Sequence, residues 1–188
     1  NIAKGQSVIF SCSTEEADPA NFDTVFAEEL SRRSNKIDFL SCLRHSGRQF
    51  IVRHGNRTEL VAGYPWFGRW GRDTFIALPG VTLTQGGLES CREVIDTMVR
   101  EMHDGLFPNM GSAYNSVDAP LWFFWTLQAL EKHVGADEIW KSYGHAMKDV
   151  LAAFRRGIGD HIRVHDNMLI WASNPHLAMT WMDAVVDG

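Results

Sequence analysis

The sequence predicts a mainly helical fold, built from helical hairpins with small β-hairpins in the connecting loops. Three observations carry this expectation. Long segments place apolar residues at a 3.6-residue period. The stretches between them carry Gly and Pro breakers. No βαβ alternation, heptad seam or short internal repeat is present.

The elements follow in chain order. "QSVIFSCS" alternates, with Val8, Phe10 and Cys12 on one face, and reads as a strand without an evident partner. "STEEADPA" is a polar linker. A helix is expected from Asn21, with Phe22, Val25, Phe26 and Leu30 on one side, and a short one over Ile37 to Leu43. "RQFIVRH" and "TELVAGY" are rich in β-branched residues and flank "GNR", which reads as a hairpin. "RDTFIALPGVTL" reads as a short apolar helix.

Three clearer helices come next. Leu88, Cys91, Val94, Ile95, Met98, Val99 and Met102 form one stripe, broken by "DGLFPNMGS". Ser116 is the expected N-cap of the second, with Pro120 near its first turn. Its "PLWFFWTLQAL" is apolar nearly all round and predicts burial on most sides. The third starts at Asp137, carries Ile139, Trp140, Tyr143, Met147, Val150, Leu151 and Phe154, and ends in "RRGIGD". "HIRVHDNMLIWAS" is a closing hairpin turning at His165-Asp166-Asn167.

A chain of 188 residues can bury a sizeable core. A net charge of −5 argues against nucleic acid and against an anionic membrane surface as partners. No apolar run reaches transmembrane length, and no secretion signal is visible at the N-terminus. Cys12, Cys42 and Cys91 are scattered and odd in number, which suggests free thiols and a cytoplasmic location. His161 and His165 share a strand face but have no apparent third ligand, so neither metal nor cofactor is expected. "GRWGRDT" lacks the Lys-Ser/Thr ending of a phosphate loop.

The chemistry concentrates in "GYPWFGRWGRDTF", Gly63 to Phe75. A pyranose ring has an apolar C–H face and a rim of hydroxyls. Indole rings cover such a face, and carboxylates and guanidinium groups take the rim in charge-assisted hydrogen bonds. Trp66, Phe67 and Trp70 beside Arg72 and Asp73 supply both kinds of contact, and Gly68 and Gly71 permit tight folding and close approach. Two further aspartates neighbour aromatic residues: Asp118 in "YNSVDAPLW" and Asp183 in "TWMDA". Plainer readings stand beside these. Arg72 and Asp73 can form a local ion pair at a helix start, Asp118 can answer a helix dipole, and Asp183 can be merely solvated. In favour of chemistry at Asp183, Trp181 and Met182 can desolvate it, which raises a carboxyl pKa and suits a general acid.

"AGYPWFGRWGRDTFIALPG", "YNSVDAPLWF" and "LAMTWMDA", in this order, resemble the amylo-α-1,6-glucosidase domain of glycogen debranching enzymes, from about Ala20 onward. The resemblance implies an all-α fold that is about half of an (α/α)6 barrel, glucoamylase-like in plan, over residues 16–188. Residues 1–15 would then be the last strand of a preceding β-sandwich. It implies hydrolysis, with inversion, of the α-1,6-linked glucose at a glycogen branch point. Arg72 and Asp73 would hold hydroxyls of that glucose, Trp70 and Trp122 would shape its subsite, and Tyr64, Trp66, Asp118 and Trp181 would be further substrate contacts. Asp183 transfers as the general acid. An inverting enzyme also needs a second carboxylate about 6.5–9.5 Å away; no segment matches that glutamate, so the chain is expected to be a largely inactive fragment. With about six helices rather than twelve, exposed apolar stripes would favour self-association. A non-catalytic α-glucan-binding module and a glucoamylase-like or trehalase-like hydrolase remain alternatives.

Overall fold

A computed structural model of the chain describes residues 2–13, 16–33 and 36–182. It divides into two units, Asn1–Ser46 and Gly47–Gly188.

The first unit holds a 3-10 turn, α1 (Phe22–Arg32) and most of α2 (Phe39–Arg48). Asp18 accepts a hydrogen bond from the Ala20 amide at 2.9 Å and so starts the turn that leads into α1. Asp38 does the same for α2 through the Ser41 amide at 2.7 Å. That backbone hydrogen bond holds the Asp38 carboxyl below the usual aspartate range. The expected stripe on α1 forms, but Val25, Phe26 and Leu30 stay exposed. Val8, Phe10 and Cys12 form no strand, contrary to expectation. A strand is defined by ladder hydrogen bonds, and no partner is present among the described residues.

The second unit opens on the expected hairpin, β1 (Ile51–His54) against β2 (Arg57–Gly63), turning through Gly55 at φ 58°. A third strand, β3 (Phe67–Arg69), continues the antiparallel sheet with Val61 opposite Arg69 and Gly63 opposite Phe67. It leads directly into α3 (Gly71–Val81). Then follow α4 (Leu88–Arg100), α5 (Ala119–Val134), α6 (Ala136–Arg156) and the hairpin β4 (Ile162–Val164) with β5 (Ile170–Ala172).

The core is aromatic at its centre. Phe75 of α3, Phe107 of the loop between α4 and α5, and Phe123 of α5 are fully buried, with ring centroids 4.8, 5.5 and 5.0 Å apart. Each ring withdrawn from water contributes about 1.5–3 kcal/mol. Around them pack Cys91, Val94, Ile95 and Met98 from α4 and Tyr143, Val150 and Phe154 from α6. Thr126 is buried on the apolar side of α5, and its hydroxyl donates to the Phe75 carbonyl at 2.7 Å. This bond locks α5 against α3 and satisfies a polar atom that would otherwise cost stability. Burial pushes the Cys91 thiol up. Burial and the adjacent Asp96, which accepts from its hydroxyl at 3.0 Å, push Tyr143 up as well.

The helix "PLWFFWTLQAL" is not buried on most sides. α5 buries Ala119, Pro120, Phe123, Thr126, Leu127 and Leu130, while Leu121 and Trp125 remain exposed. It packs chiefly on α3 and, less extensively, on α6 and α4, which together cover only part of its circumference. On α6, Trp140 and Leu151 are likewise exposed, and Lys148 lies 4.8 Å over the Trp140 ring. Among the described residues no helix is long and apolar enough to cross a membrane.

Candidate active site

Three chain segments converge where β3 gives way to α3. In the first, the Gly71 amide donates to the Asn109 carbonyl at 3.0 Å, and Trp70 bridges Met110 as an antiparallel pair. The second is the loop from Asn109 to Asp118, folded back by the Asn109 amide on the Ala113 carbonyl at 2.8 Å. The third is the segment after β5. There Asn115 Nδ2 donates to the Ala178 carbonyl at 2.7 Å and the Val117 amide to the Met179 carbonyl at 2.8 Å.

Gly71 is required at the first junction. A Cβ built on it would lie 2.5 Å from the Pro108 carbonyl oxygen, a backbone atom that cannot swing aside. At Gly68 an added Cβ meets nothing within 4 Å. Overpacking of this kind costs about 1–3 kcal/mol. Gly71→Ala is therefore expected to lower unfolding stability by that amount in urea titrations, with Gly68→Ala near neutral. Equal stability of the two variants would show that the junction is not close-packed.

Arg72 is the hub of the cluster. Its side chain is 14 % exposed, with Nη1 3.6 Å from Asp118 Oδ2 and Nη2 3.9 Å from Asp73 Oδ2. These separations give charge attraction but exceed hydrogen-bond length. Arg72 Nη1, Asp73 Oδ2 and Asp118 Oδ2 are accordingly buried without a hydrogen-bond partner among the described residues. So are Asn109 Oδ1 and Asn115 Oδ1. A buried polar atom left unpaired costs about 1–3 kcal/mol, and folded proteins keep few of them outside functional sites. Five such atoms, one guanidinium nitrogen and four oxygens from two Asp and two Asn side chains, lie on Arg72–Asp73 and on the Asn109–Asp118 loop.

Ser116 explains why Asp118 is available. The expected N-cap lies three residues before Ala119, the first helical residue, yet its hydroxyl still takes the cap by accepting from the Ala119 amide at 3.2 Å. The same hydroxyl donates to Asp118 Oδ1. Asp118 makes no side-chain capping bond of its own. Its Oδ1 is held and its Oδ2 faces Arg72, so the carboxylate is not spent on the helix end.

The other candidate residues are distributed more widely. Trp122 lies one turn beyond Asp118, half-buried, with its ring 5.6 Å from Trp125. Trp181 is exposed, as is Met182. Asp183 lies outside the described residues. Tyr64 donates its hydroxyl to the Gln49 carbonyl at 2.6 Å and packs near Phe50. Trp66, Phe67 and Trp70 do not form one patch with Arg72 and Asp73. They line a cleft of about 1000 Å³, whereas Asp73 borders a separate apolar recess of about 330 Å³ with Thr74 and Ile76. The backbone changes from strand to helix at Trp70, and Arg72 and Asp73 fall in the first turn of α3.

Sequence reasoning missed Asn109 and Asn115 and gave Ser116 only a capping role. Both Asn115 and Ser116 lie in "YNSVD", so closeness to Asp118 was the one available signal.

A protein-family model described as "Amylo-alpha-1,6-glucosidase" matches residues 45–188. The chain belongs to this family. Members of the amylo-alpha-1,6-glucosidase family are glycoside hydrolases, and the match takes in Arg72, Asp73, Asp118 and Asp183. The chain is 34 % identical over 121 residues to the glycogen debranching enzyme of Saccharomyces cerevisiae, which is 59 % of this chain and 7 % of the yeast protein. It is also 29 % identical over 100 residues to human dynein axonemal heavy chain 8, covering 50 % of this chain and 2 % of the dynein. The chain thus spans under a tenth of the length of either relative.

Proposed function

We propose that this chain carries the glucose-binding part and the general acid of an amylo-α-1,6-glucosidase centre, acting on branch points of glycogen or limit dextrin with inversion. The observation that supports this reading best is the Arg72 hub, with Asp118 and Asp73 on either side and unpaired polar atoms around it. In such a site the guanidinium donates to ring hydroxyls while the carboxylates accept from them, in surroundings that strengthen both. Asp183 gives its proton to the departing bridging oxygen as the bond from that oxygen to the glucose anomeric carbon breaks. Water adds to that carbon from the opposite face, its proton passing to a carboxylate base. Met179, four residues before Asp183 in the sequence, is tied to Val117 beside Asp118. We assign no base in this chain, and read its helices as part of an (α/α)6 barrel.

The test is product analysis with a protein carrying the whole domain. Limit dextrin with single α-1,6-linked glucose stubs is expected to yield glucose, first as the β-anomer, while maltose and trehalose stay intact. The 188-residue chain alone is expected to release none. Glucose from maltose or trehalose, with the stubs untouched, would replace this reading by a glucoamylase-like or trehalase-like one.

A further inference from the structure

The stretch after β5 has little to hold it in place. From Ala172 to Met182 it curves around a hollow of about 400 Å³ lined by its own residues. Leu177 is exposed, and two of its hydrogen bonds are internal turns: the His176 amide donates to Asn174 Oδ1 at 2.9 Å and the Met182 amide to Thr180 Oγ1 at 3.3 Å. A segment so sparsely packed takes its position from the few bonds it makes elsewhere. Among the described residues, 174–182 makes two hydrogen bonds to other parts of the chain, the Asn115 Nδ2 bond to the Ala178 carbonyl at 2.7 Å and the Val117 amide bond to the Met179 carbonyl at 2.8 Å.

Both donors belong to the three residues before Asp118, and that side is firmly held. Ser116 and Val117 are buried, and the Ser116 hydroxyl is bonded to both Asp118 and the Ala119 amide. One hydrogen bond would act as a pivot. Two, to consecutive carbonyls, also fix the direction in which the chain runs on. The bonds differ in what they require. The Val117 bond is backbone, so any residue except proline supplies it. The Asn115 bond needs a side-chain donor, because a carbonyl only accepts, and this assigns the NH2 end of the amide to Ala178. The other end, Oδ1, is buried without a partner among the described residues. An amide that served only to close a loop would have both ends satisfied.

We propose that Asn115 is a positioning residue for turnover: its amide clips the stretch after β5 to the Asp118 loop, and so sets the course of the chain that leads from Ala178 to Asp183. The inference rests on the reading of Asp183 as the general acid. Its effect is on rate, because a misplacement of about 1 Å in a reacting group costs about 10²-fold even when its origin lies away from the chemistry. Sugar contacts at Arg72 do not pass through this bond, so binding is spared.

The clip and its consequence are measured separately. In the 188-residue chain, Asn115→Ala and the bulkier Asn115→Leu should each speed hydrogen exchange of the Val117 amide, which faces the Met179 carbonyl, about tenfold. Tyr143→Phe, which removes a hydroxyl bond between α6 and α4, should leave that exchange unchanged. In a protein carrying the whole domain, both Asn115 variants should lower kcat on limit dextrin about tenfold, with KM within about twofold of the parent. In an Asp183→Asn background, Asn115→Ala should change the residual rate less than about twofold, since no proton donor is left to misplace. A raised KM with kcat intact would make Asn115 a sugar contact and overturn the proposal. So would unchanged Val117 exchange, an unchanged kcat, or a loss undiminished in an Asp183→Asn protein that is itself slowed. If Asp183→Asn turned over at the parent rate while Asn115→Ala still slowed turnover and freed Val117, the clip would stand and only the acid reading would fall.

Discussion

Asp183→Asn, made in a protein carrying the whole domain, is expected to lower glucose release from α-1,6 stubs by about 10²–10⁴-fold, the usual contribution of a positioned general acid. The substitution keeps the size and polarity of the side chain but removes the proton that the bridging oxygen must receive. Sugar binding at the Arg72 hub should persist, because that hub consists of Arg72, Asp73 and Asp118. The two consequences separate catalysis from recognition. A KM close to that of the parent with a collapsed kcat is the expected signature. If Asp183→Asn turned over at the parent rate, the acid would lie elsewhere and Asp183 would be no more than a solvated carboxylate.

Arg72→Ala is expected to act on binding and turnover together. The guanidinium neutralises two carboxylates at 3.6 and 3.9 Å while only 14 % exposed. Its removal leaves Asp73 and Asp118 without the cation beside them and deletes the donors offered to the sugar. Hydrogen bonds to charged groups contribute about 1.5–3 kcal/mol each. Losing one or two lowers kcat/KM by about 10²-fold or more. Arg72→Lys should recover only part, because a single ammonium cannot span two carboxylates as the planar fork does. Steady-state kinetics on limit dextrin and urea unfolding of the same variants would separate the binding loss from lost stability. A kcat/KM within about threefold of the parent for Arg72→Ala would remove the hub from the site.

Helix periodicity was legible because local patterning and tertiary packing agree there. The stripes Leu88–Met102 and Ile139–Phe154 emerge as α4 and α6, and "GNR" turns as expected. Legibility failed where partners decide. Val8 to Cys12 alternates like a strand, yet alternation supplies no hydrogen-bond partner. The apolar rings of α5 cannot report how much of the helix its neighbours will cover, so Leu121 and Trp125 were wrongly expected inside.

The site divides in the same way. Residue types beside one another in "GYPWFGRWGRDTF" gave the expectation of sugar contacts, because aromatic faces, a guanidinium and a carboxylate suit a ring with a hydroxyl rim. The helical character and the family membership were determined by the sequence itself. Only the tertiary structure decided that Asp118, 46 positions after Arg72, comes within 3.6 Å of it, and that Trp66 and Phe67 turn instead to a separate cleft. The physical reason is that side-chain direction is set by the backbone geometry on either side of Trp70, and long-range pairing by the Gly71–Asn109 hydrogen bond and the buried rings beneath it. Neither can be read from the order of residue types alone.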